Sequence, residues 1–343
     1  MEYRYLGKTG VQVSKLCLGT MMMGGDADEE TSQAIFHRCR EVGINFFDCA
    51  NTYAGGRSEE ILGKLVAGSR DDLVLTSKVY FPTGPDVNAA GATRKHILRS
   101  VENSLRRLQT DYLDILFIHH FDEATALEET LRVLDDLVRQ GKILYPGASN
   151  FAAWQVMKGL GISAKEGWAS FAILQPMYNL VKRQAEVEIL PMAESEGLGV
   201  ISYSPLGGGL LTGKYAGDSR PGVGRLLTNK AYQVRYGEDW VHETAARFSA
   251  FARERGYDPA GLAVAWVAGH PAITAPIIGA RNLKQLEGSL KALEIEMTPD
   301  LRAELSALSI EPPLATDRAD ERGPDTFTVR TRKGSYGTQS DRH

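Results

Sequence analysis

Long apolar runs are missing from this chain. None reaches the roughly 18 residues that a membrane-crossing helix needs, although 43% of its 343 residues are hydrophobic and 24% are charged. Cysteine is scarce. Cys17, Cys39 and Cys49 are the only three, and all lie in apolar or strand-like stretches, too few for a disulfide framework. Buried thiols in a reducing, cytoplasmic setting are therefore the expectation. A basic excess is also lacking: 39 basic against 43 acidic residues give a net charge of −4, which leaves little to neutralise a nucleic-acid backbone. Met1-Glu2-Tyr3-Arg4 lacks the basic-then-apolar layout of a secretory signal. No His-Glu-x-x-His or paired-cysteine spacing is present, which argues against a metal site. No Gly-x-Gly-x-x-Gly opens a first βαβ unit, which argues against an open dinucleotide-binding sheet.

What is present is regular. Eight short apolar runs begin near Leu16, Ile44, Leu73, Leu113, Ile143, Phe171, Val200 and Ile273. They are continuous rather than alternating, as in parallel strands covered on both faces. Their starts differ by 28, 29, 40, 30, 28, 29 and 73 residues, mostly the length of one β-α unit. Between Thr93 and Leu108, Ile97, Leu98, Val101, Leu105 and Leu108 form one helical stripe. The spacing of Thr125 and Glu128 predicts a capping box for a helix running through Leu127, Leu131, Leu134 and Val138 to Gly141. Gly43 and Gly197 close two further helices. Tyr3–Leu6 and Val11–Ser14 flank Lys8-Thr9-Gly10 and read as a hairpin plugging a barrel floor. Two connections are long, after Tyr80 and from Gly207 to Glu238, and the tail from about Pro312 to His343 is polar, suited to disorder or surface wrapping.

Polar residues sit at the ends of nearly all these runs: Asp48, Lys78, His119, Ser149-Asn150, Gln175, Ser204 and Gly279-Ala280-Arg281. In a closed (β/α)8 barrel they converge on one mouth, where barrel enzymes do chemistry, and this favours the TIM barrel over an open sheet. Asp48 and Lys78 would be neighbours at a rim where an unpaired charge is costly. Tyr53, on the loop after Asp48, can fold over the same mouth. A lysinium beside its phenol would lower the pKa and make a proton donor usable near neutrality.

The runs FFDCANTYAGGRSEEILGK (46–64), DYLDILFIHHFD (111–122), GASNF (147–151), LQPMYNL (174–180), SYSPLGGGLLTGKY (202–215) and IIGARNLKQLE (277–287) resemble the aldo-keto reductase family. The likeness covers about residues 1–310 in order, leaving 312–343 as a tail. It implies an NADPH-dependent oxidoreductase acting on a small-molecule carbonyl, with NADH a weaker cofactor. Asp48, Tyr53, Lys78 and His119 match the family's catalytic tetrad. The resemblance assigns Ser149, Asn150 and Gln175 to the nicotinamide carboxamide and Tyr203 to its ring. Gly19, Thr20, Ser204, Pro205, Leu206, Gly208 and Lys214 join the cofactor set, with Ser204, Leu206, Gly208 and Lys214 along the pyrophosphate. Gly279, Arg281 and Gln285 would face the adenosine 2′-phosphate, with Ser289 nearby. Gly288-Ser289 stand where the family often has Glu-Asn, and His120-Phe121-Asp122 where it often has x-Pro-Asp. Met22, Tyr80, His120 and Phe121 are the expected substrate wall, with Met21 and Met23 beside them and the loop from Tyr215 to Trp240 opposite.

Other readings stand beside this one. Asp48 and Lys78 alone are equally a structural ion pair, His119 alone a core histidine, and Arg281 a solvated surface residue. A cofactor-sensing regulatory subunit, as in the potassium-channel β-subunit branch of the family, would keep the cofactor site with little turnover. A barrel lyase or isomerase would need a metal or phosphate site that the sequence does not offer.

Overall fold

The computed structural model describes residues 1–215 and 229–316, together with the backbone of 329–330 and 336–337. A hairpin of β1 (Tyr3–Tyr5) and β2 (Gln12–Ser14) precedes eight parallel strands. These are β3 (Cys17–Gly19), β4 (Phe46–Asp48), β5 (Val74–Val79), β6 (Leu113–Ile118), β7 (Ile143–Ser149), β8 (Ile173–Gln175), β9 (Gly199–Ser202) and β10 (Ala275–Ile278). They close in the order β10-β3-β4-β5-β6-β7-β8-β9, so the expected TIM barrel is the observed fold.

Helices cover the outside: α1 (Glu29–Glu41), α2 (Arg57–Val66), α3 (Arg94–Leu108), α4 (Leu127–Arg139), α5 (Ala153–Glu166), α6 (Ile189–Glu196), α7 (Lys230–Arg235), α8 (Asp239–Glu254), α9 (Pro259–Ala268), α10 (Leu283–Leu290) and α11 (Pro299–Ser306). The Thr93 side chain caps α3 by accepting from His96 N, and Ile97, Val101, Leu105 and Leu108 are its buried face. The capping box expected at α4 does not form. The N-cap is Ala126, and the Thr125 hydroxyl donates to Asp122 Oδ2 at 2.7 Å. An ionised carboxylate is the stronger acceptor, and Asp122 also receives Ala124 N at 3.0 Å. The long connection after β9 contains α7, which the sequence reading missed; 216–228 and most of the tail lie outside the described residues.

Side chains alternate along a strand, and this alternation builds the site. Cys17, Phe46, Val74, Ile115, Phe117, Ile173, Ile201, Ala275 and Ile277 form the packed bore, with Leu6 and Val13 of the hairpin segment sealing its floor. Stepping two residues toward the mouth from Phe46, Phe117, Ile173 and Ile201 gives Asp48, His119, Gln175 and Tyr203; Lys78 stands four beyond Val74. Odd and even neighbours such as Phe47, Leu75, Leu116 and Leu174 pack outward on the helices. The floor is tight. Gly7 has φ +57, and a Cβ on it would lie 2.4 Å from Gly199 N at the start of β9.

Leu6 is fully buried in this plug. Leu6→Ala is expected to cost about 2–5 kcal/mol in denaturant unfolding, the range for emptying a packed site. A loss under about 1 kcal/mol would mean that the floor collapses around the gap or was never packed.

Candidate active site

The ammonium of Lys78 is enclosed: its side chain has 0% exposure and that of Asp48 3%. It donates to Asp48 Oδ2 at 2.6 Å, to the Cys49 carbonyl at 2.7 Å and to the Tyr53 hydroxyl oxygen at 3.1 Å. Three N–H groups thus meet three acceptors, the full capacity of an ammonium. Asp48 is held on its other oxygen by the Thr76 hydroxyl at 2.8 Å and by Gln175 Nε2 at 2.8 Å. The strands β4 and β8 are four apart in the closed order, so the Gln175 bond crosses the barrel. The Tyr53 and His119 rings meet edge to face with centroids 6.3 Å apart. All four residues expected to act together are therefore within one small volume at the mouth.

Electrostatics correct one expectation. Burial raises the Tyr53 pKa more than the Lys78 charge lowers it, with Asp48 adding to the rise, so the phenol is pushed up to about 12. The ring keeps some surface at the mouth, but its hydroxyl sits deep. For Lys78, burial works against the charge, yet Asp48 and Tyr53 outweigh it and hold the ammonium well above the usual lysine range. Burial, then Lys78 and His120, depress His119 to about 3, so this imidazole is neutral at physiological pH. Its Nδ1 is buried without a hydrogen-bond partner.

Around this core, Ser149 Oγ donates to the Gln175 carbonyl at 3.0 Å. Asn150 Nδ2 donates to the His119 carbonyl at 2.9 Å, and Tyr203 donates its hydroxyl to Asn150 Oδ1 at 2.7 Å. Thr20 is fully buried. Its hydroxyl donates to the Asp48 carbonyl at 3.1 Å and accepts from Ser58, so it braces β4 from behind rather than facing the mouth. Gly19 ends β3. Ser204, Pro205 and Leu206 lead into Gly207, Gly208 and Gly209, whose φ angles are +56, +68 and +96. A Cβ on Gly209 would come within 2.8 Å of Lys214 Nζ, so the missing side chain makes room for an ammonium over the loop. At the far end of the mouth Arg281 Nε pairs with Asp26 at 2.9 Å, and the Arg281 backbone N–H donates to Gln285 Oε1 at 3.1 Å. Gly279 is exposed there, and the Ser289 hydroxyl is buried with no partner. A glycine cradle, cations at two points and an orphaned hydroxyl fit a phosphate-bearing dinucleotide.

On the opposite side, Tyr80 packs on His120 with ring centroids 5.3 Å apart, and Phe121 meets Phe151 at 5.3 Å. Phe81, expected only as loop, lies 4.9 Å from the His119 ring. Met22 is half-buried and Met21 exposed, whereas Met23 is 2% exposed and belongs to the core. Sequence reasoning also missed Thr76 and Asn51. Thr76 stands two residues before Lys78 and so shares its face, a signal that period-2 alternation carries. Asn51 is buried with both amide atoms unpartnered beside this cluster; nothing in the pattern marks it. A cleft of about 530 Å3, lined by Arg4, Lys15 and His270 among others, lies at the barrel floor, away from this chemistry. Among the described residues no group of acidic, histidine or cysteine side chains is arranged to hold a metal ion, and no helix is long and apolar enough to cross a membrane.

Residues 15–310 match the Aldo/keto reductase family. An uncharacterized oxidoreductase of Bacillus subtilis is 39% identical over 316 residues, 88% of this chain and 94% of its own length. A probable voltage-gated potassium channel subunit beta of Arabidopsis thaliana is 35% identical over 302 residues, covering 86% and 92%. Versiconal hemiacetal acetate reductase of Aspergillus parasiticus is 31% identical over 330 residues, covering 88% and 94%.

A histidine whose pKa falls from 6.5 to about 3 on folding takes up its proton more readily when unfolded. The stability it leaves intact above pH 6.5 is thus lost as pH falls toward 3. Between pH 6.5 and 4, His119→Asn is expected to lose on the order of 3 kcal/mol less stability than the parent chain. Parallel unfolding curves against pH for the two proteins would show instead that His119 is solvated.

Proposed function

The chain belongs to the aldo/keto reductase family, and from that premise we propose that it reduces an aldehyde or ketone, with NADPH as the preferred cofactor and NADH a weaker one. The observation that carries this reading is the enclosed Lys78, which donates at once to Asp48 and to the Tyr53 hydroxyl. When bound, the nicotinamide supplies hydride to the carbonyl carbon. Tyr53 then gives the carbonyl oxygen its proton as general acid. A phenol that burial keeps protonated up to about pH 12 is in the donor form throughout the physiological range. The phenol oxygen already accepts from Lys78, so its own proton is free to turn into the mouth. As that proton leaves, the phenolate meets a lysinium 3.1 Å away, and the charge developed in the transition state is stabilised. Lys78 therefore acts less by acidifying the resting tyrosine than by receiving its anion. Asp48 fixes Lys78, while neutral His119 holds the substrate oxygen.

The cofactor would be held by Ser149, Asn150 and Gln175 at the carboxamide and by Tyr203 at the ring. Ser204, Pro205, Leu206, Gly208 and Lys214 would line the pyrophosphate, and Arg281 with Gln285 the 2′-phosphate, for which a planar guanidinium is suited. Met22, Tyr80, His120 and Phe121 wall the substrate side. Three free, buried thiols suit a reducing cytoplasmic setting. The potassium-channel subunit relatives favour a second reading, a regulator that binds the cofactor and turns over slowly.

Steady-state NADPH oxidation with a panel of aldehydes separates the two: turnover supports the reductase, and tight binding without turnover the regulator. Tyr53→Phe is expected to cut turnover by about 10²–10⁴-fold with the NADPH dissociation constant, read by fluorescence titration, nearly unchanged. Undiminished turnover would remove Tyr53 as the acid. Arg281→Ala should weaken NADPH about tenfold and NADH much less; equal weakening takes Arg281 away from the 2′-phosphate.

A further inference from the structure

We propose that the cleft between the loops following β7, β8 and β9 binds a small organic anion: an apolar, aromatic-sized body carrying a carboxylate. Its volume is about 490 Å3, within the usual range for small-molecule sites. Phe151, Pro176 and Met177 supply apolar wall, and among the described residues the charged ones lining it are Lys182 and Arg235. Both are half-buried. Elsewhere Arg38, Arg57 and Arg94 each hold a carboxylate within 3.0 Å. Among the described residues no carboxylate stands within ion-pair reach of Lys182 or Arg235; the guanidinium rests instead on the Tyr232 ring, 5.1 Å from its centroid. Both cations line one half-buried cleft, where an anion would meet positive charge that no protein carboxylate among the described residues pairs with. Arg235 can take a carboxylate with two parallel N–H donors, and Lys182 adds a compact charge. The remaining surface rewards an apolar body, which inorganic anions lack.

The site also communicates with the chemistry. One wall is Asn150 and Tyr203, joined by the 2.7 Å hydrogen bond, and Asn150 reaches the His119 carbonyl. Asn150 and Ser204, on either side of this wall, have φ +57 and +59, conformations that cost energy in residues other than glycine and gather at working sites. The anion has two possible sources: the distal carboxylate of the carbonyl substrate, or a separate molecule bound beside it. Only the first source rests on the reductase reading.

Benzoate is the probe, followed by calorimetry and ligand-observed NMR on the full-length chain without nicotinamide, so that the result is independent of turnover. The proposal expects saturable benzoate binding, weakened about tenfold or more by Arg235→Gln and by Lys182→Gln, and no comparable binding of benzyl alcohol or sulfate. Absent benzoate binding overturns it, as does equal binding in the parent and both variants, or sulfate binding as tight as benzoate. A loss of NADPH affinity in Arg235→Gln with benzoate binding intact also overturns it, by assigning the cation to the nucleotide. The source is read separately. If the substrate carries the anion, Arg235→Gln lowers kcat/KM for 4-carboxybenzaldehyde relative to benzaldehyde about tenfold. If a second molecule carries it, that ratio holds and benzoate instead changes the NADPH dissociation constant. A chain with no aldehyde turnover but Arg235-dependent benzoate binding would sink the reductase reading and leave the anion site standing.

Discussion

A single buried ammonium organises this protein. Removing a lysine from water costs several kcal/mol unless every N–H finds an acceptor, and Lys78 finds three, on β4 and the loop that follows it. Each acceptor is constrained in turn. Asp48 needs Thr76 and Gln175 on its second oxygen, and the Cys49 carbonyl must aim inward. The Tyr53 loop must fold back through Ala54 at φ +48 and Gly55 at φ +66. Satisfying one charge thus fixes the loop that carries the phenol. Burial keeps the phenol from being acidic at rest, and the carboxylate that stabilises the lysine also offsets part of its pull on the tyrosine.

Much of this was legible in the residues. The strand step pointed to β-α units, and the polar strand ends pointed to a closed barrel with Asp48, Lys78 and His119 at one mouth and Tyr53 on the loop beside them. Period-2 alternation turned those ends inward. What was hidden depended on burial and on contacts distant in sequence. The Tyr53 pKa was misjudged because a sequence shows the neighbouring charge but not the depth of the hydroxyl. Gln175 was read only as a cofactor ligand because its bond to Asp48 spans 127 positions. The capping box at Thr125 failed because a carboxylate three residues earlier competed for its hydroxyl.

The neutral state of His119 follows from the same economy of charge. A second cation beside Lys78 would have no carboxylate left to pair with, and burial already disfavours it. The ring is therefore suited to orient an oxygen by hydrogen bonding rather than to attract an anion. The cleft behind Tyr203 is the complementary case, because there Lys182 and Arg235 find no carboxylate among the described residues, close to a wall that touches the His119 backbone. Positive charge is thus neutralised where the proposed proton transfer takes place and left open beside it, among the described residues.

The hydrogen bond from Gln175 to Asp48 ties together opposite halves of the molecule. Everything assigned to proton transfer precedes residue 120, and nearly everything assigned to the dinucleotide follows it. The barrel is in that sense a composite of two half-barrels with separate duties, fastened through the lumen by one amide. An exchange of halves between relatives would preserve the setting of the proposed proton donor only where the incoming half brings a donor of the same length to that point. The position of Gln175 is therefore a compatibility requirement between the two halves, and grafting schemes that respect only the outer helices would miss it.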